Sequence, residues 1–212
     1  MREQLEFLDL PHHYSLHEPV RKIRFAYFLN CGLASLVVAM RGGKNVEAGV
    51  VGCEGFVGAP LLGGLERSPL REQMQIGGAG FRITCGALET ALAECPTLRM
   101  NLTRYAILLG LQIAQTAACN RLHPVQQRLA RWLLLAQDRL STETVPITHD
   151  FLAVMLGTDR PSVSLAAANL QRKKTIAYQR GVLKVLHRKR LESATCECYE
   201  VIRRFDGELG LR

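Results

Sequence analysis

The sequence predicts an α+β protein: a jelly-roll-like β domain, then a long helix, then a small basic domain of helices and a β-ribbon. Three observations carry this reading. From Ile23 to Thr84, short segments rich in β-branched and aromatic residues are separated by glycines. After Pro96, apolar residues recur at helical spacing. Residues 157–191 hold nine Lys/Arg against one acidic residue, Asp159, a net +8 that equals the formal charge of the whole 212-residue chain. Basic charge confined to one helix-turn-helix-sized stretch is the electrostatic footprint of a duplex-DNA reader.

In chain order, the first twenty residues are sparse and suggest no definite element. The strand candidates follow as FAYFLN, ASLVVAM, VEAGVV and EQMQI, cut by glycine turns at Gly32, Gly42-Gly43, Gly63-Gly64 and Gly77-Gly78. Strands at this spacing read as a sandwich or jelly roll. Past Cys95-Pro96, the residues Leu98, Leu102, Ala106, Leu109, Ile113 and Ala117 predict a helix of about six turns. Its apolar surface is wider than one seam, so one side can rest on the β domain while the other meets a partner helix. That reading puts Leu109 and Ile113 on the seam. An ordinary buried core helix is the other reading. His123-Pro124 should end it, since proline disfavours α geometry in the residue before it. A second helix, VQQRLARWLLLAQDRL, then places Leu129, Trp132, Leu133 and Ala136 on one face. Ser141-Thr142-Glu143-Thr144 and Pro146 form a boundary, dividing the chain into 1–95, 96–140 and 141–212.

The basic domain reads residue by residue. Thr148 is a fitting N-cap for a helix burying Leu152, Met155 and Leu156. Gly157 supplies the permissive backbone of a turn. Thr158 or Asp159 caps a second helix with Pro161 in its first turn, where a missing N–H costs nothing. Val163, Ala166, Ala167 and Leu170 form its inner face, which leaves Arg160, Ser162, Ser164, Leu165, Asn169 and Arg172 directed outward. Arg160 is the leading base reader, because a guanidinium can bind guanine O6 and N7 together. Ser162 and Ser164 suit phosphate or adaptable contacts. Arg172, Lys173, Lys174, Arg180, Lys184, Arg188 and Lys189 supply phosphate attraction. A solvated basic face without a partner is the plainer alternative. The capped helix–Gly–helix–ribbon pattern around the charges favours DNA.

Other chemistries fit poorly. The seven cysteines are odd in number and scattered, and the chain opens without a secretory signal, so reduced thiols in a cytoplasmic protein are expected. Cys196-x-Cys198 could belong to a metal or redox site, but two ligands are weak and packing of a C-terminal helix is the simpler reading. The long uncharged run between Arg104 and Arg121 is too short and polar for a membrane span. Gly42-Gly43-Lys44 is a hairpin turn lacking P-loop spacing. No nucleophile–base constellation stands out, and no catalytic residue is assigned.

The whole pattern resembles the Crp/Fnr family of bacterial transcription regulators, over nearly everything after residue 20. ITHDFLAVMLGTDRPSVSLAAANLQ is similar to the family's helix-turn-helix, including Thr148, Gly157, Arg160, Val163 and Leu170. VQQRLARWLL is similar to the helix after its dimerisation helix, and YFLNCGLASLVV and VVGCEGFVGAPLLGG to its β-roll. The resemblance implies an N-terminal β-roll, a long dimerisation helix and a C-terminal winged helix-turn-helix. It further implies a homodimer on two-fold-symmetric double-stranded DNA, with RNA polymerase as a further partner.

The departures carry information. Where the family's catabolite activator has a glutamate and an arginine further along the recognition helix, this chain has Pro161 and Leu165. Matching FVGAPLL to the cyclic-nucleotide cassette puts Gly58 on its glycine and Ala59 where the ribose-binding carboxylate stands, while Arg67-Ser68 resembles the phosphate-gripping pair. Gly58, Arg67 and Ser68 are thus the effector-site candidates. Half a cassette disfavours cyclic nucleotide, and the effector stays unknown. The jelly roll is shared with metal-dependent cupins, but no histidine lies between residues 18 and 122, and His12, His13 and His17 read as solvated residues at a loose N-terminus. An iron–sulfur sensor of the Fnr branch needs clustered N-terminal cysteines, whereas here Cys31 is followed only by Cys53. A small-molecule-binding or enzymatic β-roll with a basic tail of other purpose remains the competing reading.

Overall fold

A computed structural model describes residues 2–43, 45–140, 142 and 144–208. Lys44 of the hairpin turn and Ser141 and Glu143 of the expected boundary lie outside the described residues.

Two long strands, β3 (Phe25–Ala39) and β6 (Leu70–Thr84), pair antiparallel over nearly their full length, from Phe25↔Thr84 to Val38↔Leu70. The strands β1 (Glu6–Leu10), β6, β3 and β4 (Asn45–Val51) follow one another in the sheet, with β2 (Ser15–His17) on β6 and β5 (Phe56–Val57) on β3. Leu10, Leu36, Val51, Phe56 and Met74 close the interior of the roll.

Two of the four glycine turns are not turns. Gly32 sits inside β3 and Gly77-Gly78 inside β6, where register shifts between Leu29 and Ala34 bend both strands together. Gly32 has φ +91°, and a Cβ on Gly78 would stand 2.1 Å from the Cys31 carbonyl oxygen. Only residues without a side chain let the two backbones cross this closely. Gly42 and Gly43, both with positive φ, do turn the chain between β3 and β4.

The N-terminus is also more ordered than the sequence suggests. Strand β1 is an edge strand whose one fully buried residue is Leu10, which explains its weak apolar signal. His17, expected in solvent, is buried. Its Nδ1 pairs with Glu72 and its Nε2 lies 2.8 Å from the Phe25 carbonyl oxygen. His12 Nδ1 reaches the Gln75 carbonyl oxygen at 2.7 Å.

Helix α1 (Cys85–Glu94) has no counterpart among the sequence expectations; the Thr84 hydroxyl caps it by accepting from the Ala87 N–H, and Leu88, Ala91 and Leu92 are buried. Helix α2 (Pro96–Leu122) runs 27 residues and ends where His123 turns extended ahead of Pro124, as the sequence predicts. Leu109 is buried and Ile113 packs beside it on the roll, near Gly49. They are therefore not on a free seam. The outward stripe is Met100, Ile107, Leu111 and Ala114, with Ile107 59% exposed.

Helix α3 (Val125–Leu140) is buried on almost every side, including Arg128, Arg131 and Arg139. Its apolar residues share one core with α4 (His149–Met155), α5 (Arg160–Arg172), the strands β7 (Thr144–Pro146), β8 (Ile176–Gln179) and β9 (Val182–Val185), α6 (Arg188–Glu192) and α7 (Glu197–Glu208). Each buried guanidinium is hydrogen-bonded through at least one nitrogen, as buried charge requires, while the Nε of Arg128 and of Arg131 has no partner among the described residues. Arg139 donates to Glu54 Oε1 at 2.8 Å and to Gln112 Oε1 at 2.9 Å. Arg131 donates to Thr116, and Arg128 to the carbonyl oxygens of Asn120 and Leu156. These bonds join α3 to the roll, to α2 and to the first helix of the basic domain. No described helix is long and apolar enough to cross a membrane.

Candidate nucleic-acid interface

The Thr148 hydroxyl accepts from the Phe151 N–H at 3.3 Å, which starts α4 as its sequence predicts. Leu152, Ala153, Met155 and Leu156 face the core. Gly157 takes φ +56°, a conformation costly for side-chain-bearing residues, and swings the chain into α5. Of the two possible caps for α5, the structure uses Asp159: its carboxylate accepts from the Ser162 N–H at 2.8 Å and from the Ser162 hydroxyl at 3.0 Å. The backbone N–H of Thr158 instead bonds the Ala153 carbonyl oxygen. Val163, Ala166, Ala167 and Leu170 are all buried, so the opposite face of α5 points away from the protein.

On that outer face Arg160 stands exposed in the first turn, with its Nε 3.5 Å from Asp150 Oδ1. An exposed pair of this length holds the guanidinium only loosely. Leu165 and Arg172 are exposed with it, and Arg172 donates to Asn169. The Ser162 and Ser164 hydroxyls are already engaged. Ser162 serves the Asp159 cap, and the Ser164 Oγ lies 3.0 Å from His149 Nδ1. His149 in turn stacks on Tyr178 of the ribbon at 4.2 Å between ring centroids. Burial, followed by the nearby Arg160 charge, lowers the His149 pKa. This inward tie between α4, α5 and the ribbon is not legible from residue types alone, although His149 and Ser164 lie on facing helices of the predicted motif.

The ribbon itself is β8 and β9, joined at Arg180-Gly181, both with positive φ as a tight two-residue hairpin demands. Strand β7 pairs with β9 on its other edge. Arg180 and Lys184 lie exposed on this ribbon and Lys173 at the end of α5. Arg188, expected among the phosphate contacts, is instead held by Asp138 at 2.7 Å, Glu192 at 3.0 Å and the Tyr199 hydroxyl at 2.6 Å. Its role is to fasten α6 to α3 and α7.

In the roll, Gly58 (φ +126°) leads from β5 into a 3-10 turn at Ala59–Gly63. Arg67 is exposed, bridged through its backbone to Lys22. Ser68 is buried, and its hydroxyl accepts from the Leu70 N–H at 3.1 Å.

Comparison with known proteins gives three findings. Residues 127–194 match the Crp-like helix-turn-helix domain. Several solved structures superpose over most of the chain. TTHB099, a CRP-family transcriptional regulator from Thermus thermophilus, is 17% identical, with 88% of this chain and 95% of that chain covered at a TM-score of 0.72. FixK2 from Bradyrhizobium japonicum is 14% identical, with 91% and 98% covered at 0.70. The c-di-GMP-responsive global regulator CLP of Xanthomonas campestris is 14% identical, with 86% and 94% covered at 0.66. At these identities the likeness concerns the fold. No curated protein matches the chain.

Proposed function

We propose that this chain, which has the Crp/Fnr fold and carries a Crp-like helix-turn-helix domain, is a transcription regulator that reads two-fold-symmetric duplex DNA as a homodimer. The observation that carries the proposal is the outer face of α5. It bears Arg160 at its exposed N-terminal end while its opposite face is fully buried, and it lies beside a basic ribbon. A recognition helix presents its first residues to base edges in the major groove, and surrounding cations hold the phosphates.

In this reading residues 1–95 are the sensory roll, 96–140 carry dimerisation and 141–212 bind DNA. Arg160 reads a base. Thr148, Thr158, Ser162, Ser164, Arg172, Lys173, Arg180 and Lys184 line the approach to the backbone. Ser162 and Ser164 contribute through their remaining hydrogen-bonding capacity, since their hydroxyls also brace the motif. The exposed stripe Met100, Ile107, Leu111 and Ala114 on α2 is the dimer seam. It would hold two recognition helices about one DNA turn, roughly 34 Å, apart. RNA polymerase is the further partner and the cytoplasm the compartment. Selection of bound sequences from random duplexes tests the function directly. Enrichment of a palindrome with half-sites one turn apart is the expected result, and failure to enrich any duplex would overturn it.

A further inference from the structure

The C-terminal cysteines do more than fill space beside a helix. Cys119 lies in the last turn of α2 and His123 just past it, while Cys196 and Cys198 flank the start of α7. Although 77 residues apart in sequence, the Cys119 and Cys196 sulfurs are 3.5 Å apart. The Cys198 sulfur is 3.6 Å from His123 Nδ1, and all four donor atoms lie within 4.8 Å of one another. With metal–sulfur bonds of about 2.3 Å and metal–nitrogen bonds of about 2.0–2.1 Å, the edges of a tetrahedral site are roughly 3.5–3.8 Å. The 3.5 and 3.6 Å separations match such edges, and the widest, within 4.8 Å, need close by only about an ångström to gather four ligands around a single ion. The spacing is too tight for a multi-iron cluster, whose ligands surround a larger body, and too long for a sulfur–sulfur bond of about 2.05 Å.

The surroundings match a metal site better than a packing cluster. His123 Nε2 lies 3.3 Å from Glu197 Oε1, so a proton held on Nε2 leaves the Nδ1 lone pair facing the sulfurs. The Gln115 amide donates to the Cys198 sulfur at 3.1 Å. Arg131, buried and bonded to Thr116 one turn before Cys119, places its positive charge near the Cys119 sulfur. Packing alone requires neither an imidazole nor its carboxylate partner.

We propose that Cys119, His123, Cys196 and Cys198 form a closed tetrahedral site for one zinc ion, which clamps α7 to the end of α2. Three thiolates and an imidazole select a borderline-soft ion over magnesium or calcium. Four protein ligands leave no open position, so the ion is structural. The clamp sits beside the His123-Pro124 bend from which α3 departs, and it needs no assumption about DNA.

The test is metal analysis of the reduced full-length protein together with titration by zinc and by cobalt(II). One equivalent per chain is expected, and bound cobalt should show the intense visible bands of a tetrahedral site with thiolate-to-metal charge transfer. Glu197→Gln should weaken cobalt binding about 10–100-fold, and Cys198→Ser or His123→Gln by more. Exposed Cys95→Ser should leave it unchanged. The wild-type titration decides even where a ligand variant misfolds. Absence of stoichiometric metal, a six-coordinate cobalt spectrum, or a Cys119–Cys196 disulfide persisting under reductant would each overturn the site. So would a wild-type spectrum in folded Cys198→Ser.

Discussion

The indole N–H of Trp132 donates to Glu47 Oε1 at 2.7 Å, joining α3 to strand β4 of the roll across 85 residues of sequence. Ser35 donates to the other carboxylate oxygen at 2.5 Å, and both Glu47 and Trp132 are buried. With the Arg139–Glu54 bond, this makes the junction between the roll and α3 a polar one inside an apolar core. Such a junction fixes geometry, because displaced partners would leave buried polar groups unpaired.

Burial pushes the Glu47 pKa from 4.5 up to about 7, against the opposing hydrogen bonds of Ser35 and Trp132. Between these values the native state keeps a proton that the unfolded chain has released, so the Glu47 contribution to stability falls as pH rises through the window. Two and a half pH units correspond to roughly 3 kcal/mol at most. Glu47→Gln keeps an acceptor for Trp132, and its amide can donate to a rotated Ser35 hydroxyl. Urea unfolding from about pH 5 to 8 should therefore show a decline in the wild type that the variant lacks. Parallel curves would mean that Glu47 is ionised throughout.

The exposed stripe on α2 predicts the assembly. Ile107→Asp with Leu111→Asp should give folded monomers by sedimentation and circular dichroism. Leu109→Ala, which opens a gap against the roll, should keep the dimer and cost about 2–5 kcal/mol of stability. A folded dimer in the double aspartate variant would place the seam elsewhere.

The contrast between these two faces shows where the sequence stops being legible. Helical period marks Leu109, Ile113, Ile107 and Leu111 alike as apolar, but only the roll decides which of them it covers. The basic domain is readable almost to the residue, because capping, the Gly157 turn and the inner face of α5 are local chemistry. Gly32 and Gly78 read as turns in the sequence because glycine serves turns and close strand crossings alike; here Gly32 takes φ +91° and Gly78 leaves room for the Cys31 carbonyl. Cys119 and His123 give only a helical i, i+4 spacing; their juxtaposition with Cys196 and Cys198 depends on where α7 packs.

On the face proposed to read DNA, Arg160→Ala should reduce specificity more than overall affinity. Loss of one bidentate base contact costs about 1–3 kcal/mol at one base pair per half-site, while the slope of affinity against salt stays nearly fixed. The loose Asp150 pair adds little to either quantity. Binding measured on the selected operator and on single-base variants separates the outcomes. Equal weakening on every duplex, with a shallower salt slope, would make Arg160 a phosphate contact.

Finally, operator binding should not respond to cyclic AMP. Ala59 offers no carboxylate to the ribose hydroxyl, and an unpaired buried hydroxyl costs about 1–3 kcal/mol. Arg67 lies exposed, where one ion pair with a phosphate is worth little. The Ser68 hydroxyl already accepts the Leu70 N–H. A ligand shifts a conformational equilibrium only by its differential affinity for the two states, so weak indiscriminate binding leaves DNA affinity where it was. Operator affinity with and without millimolar nucleotide, alongside calorimetric titration, checks both steps. Micromolar binding that also tightens the DNA complex would restore a nucleotide sensor in this roll. Binding without tightening would assign the roll a ligand but no switch.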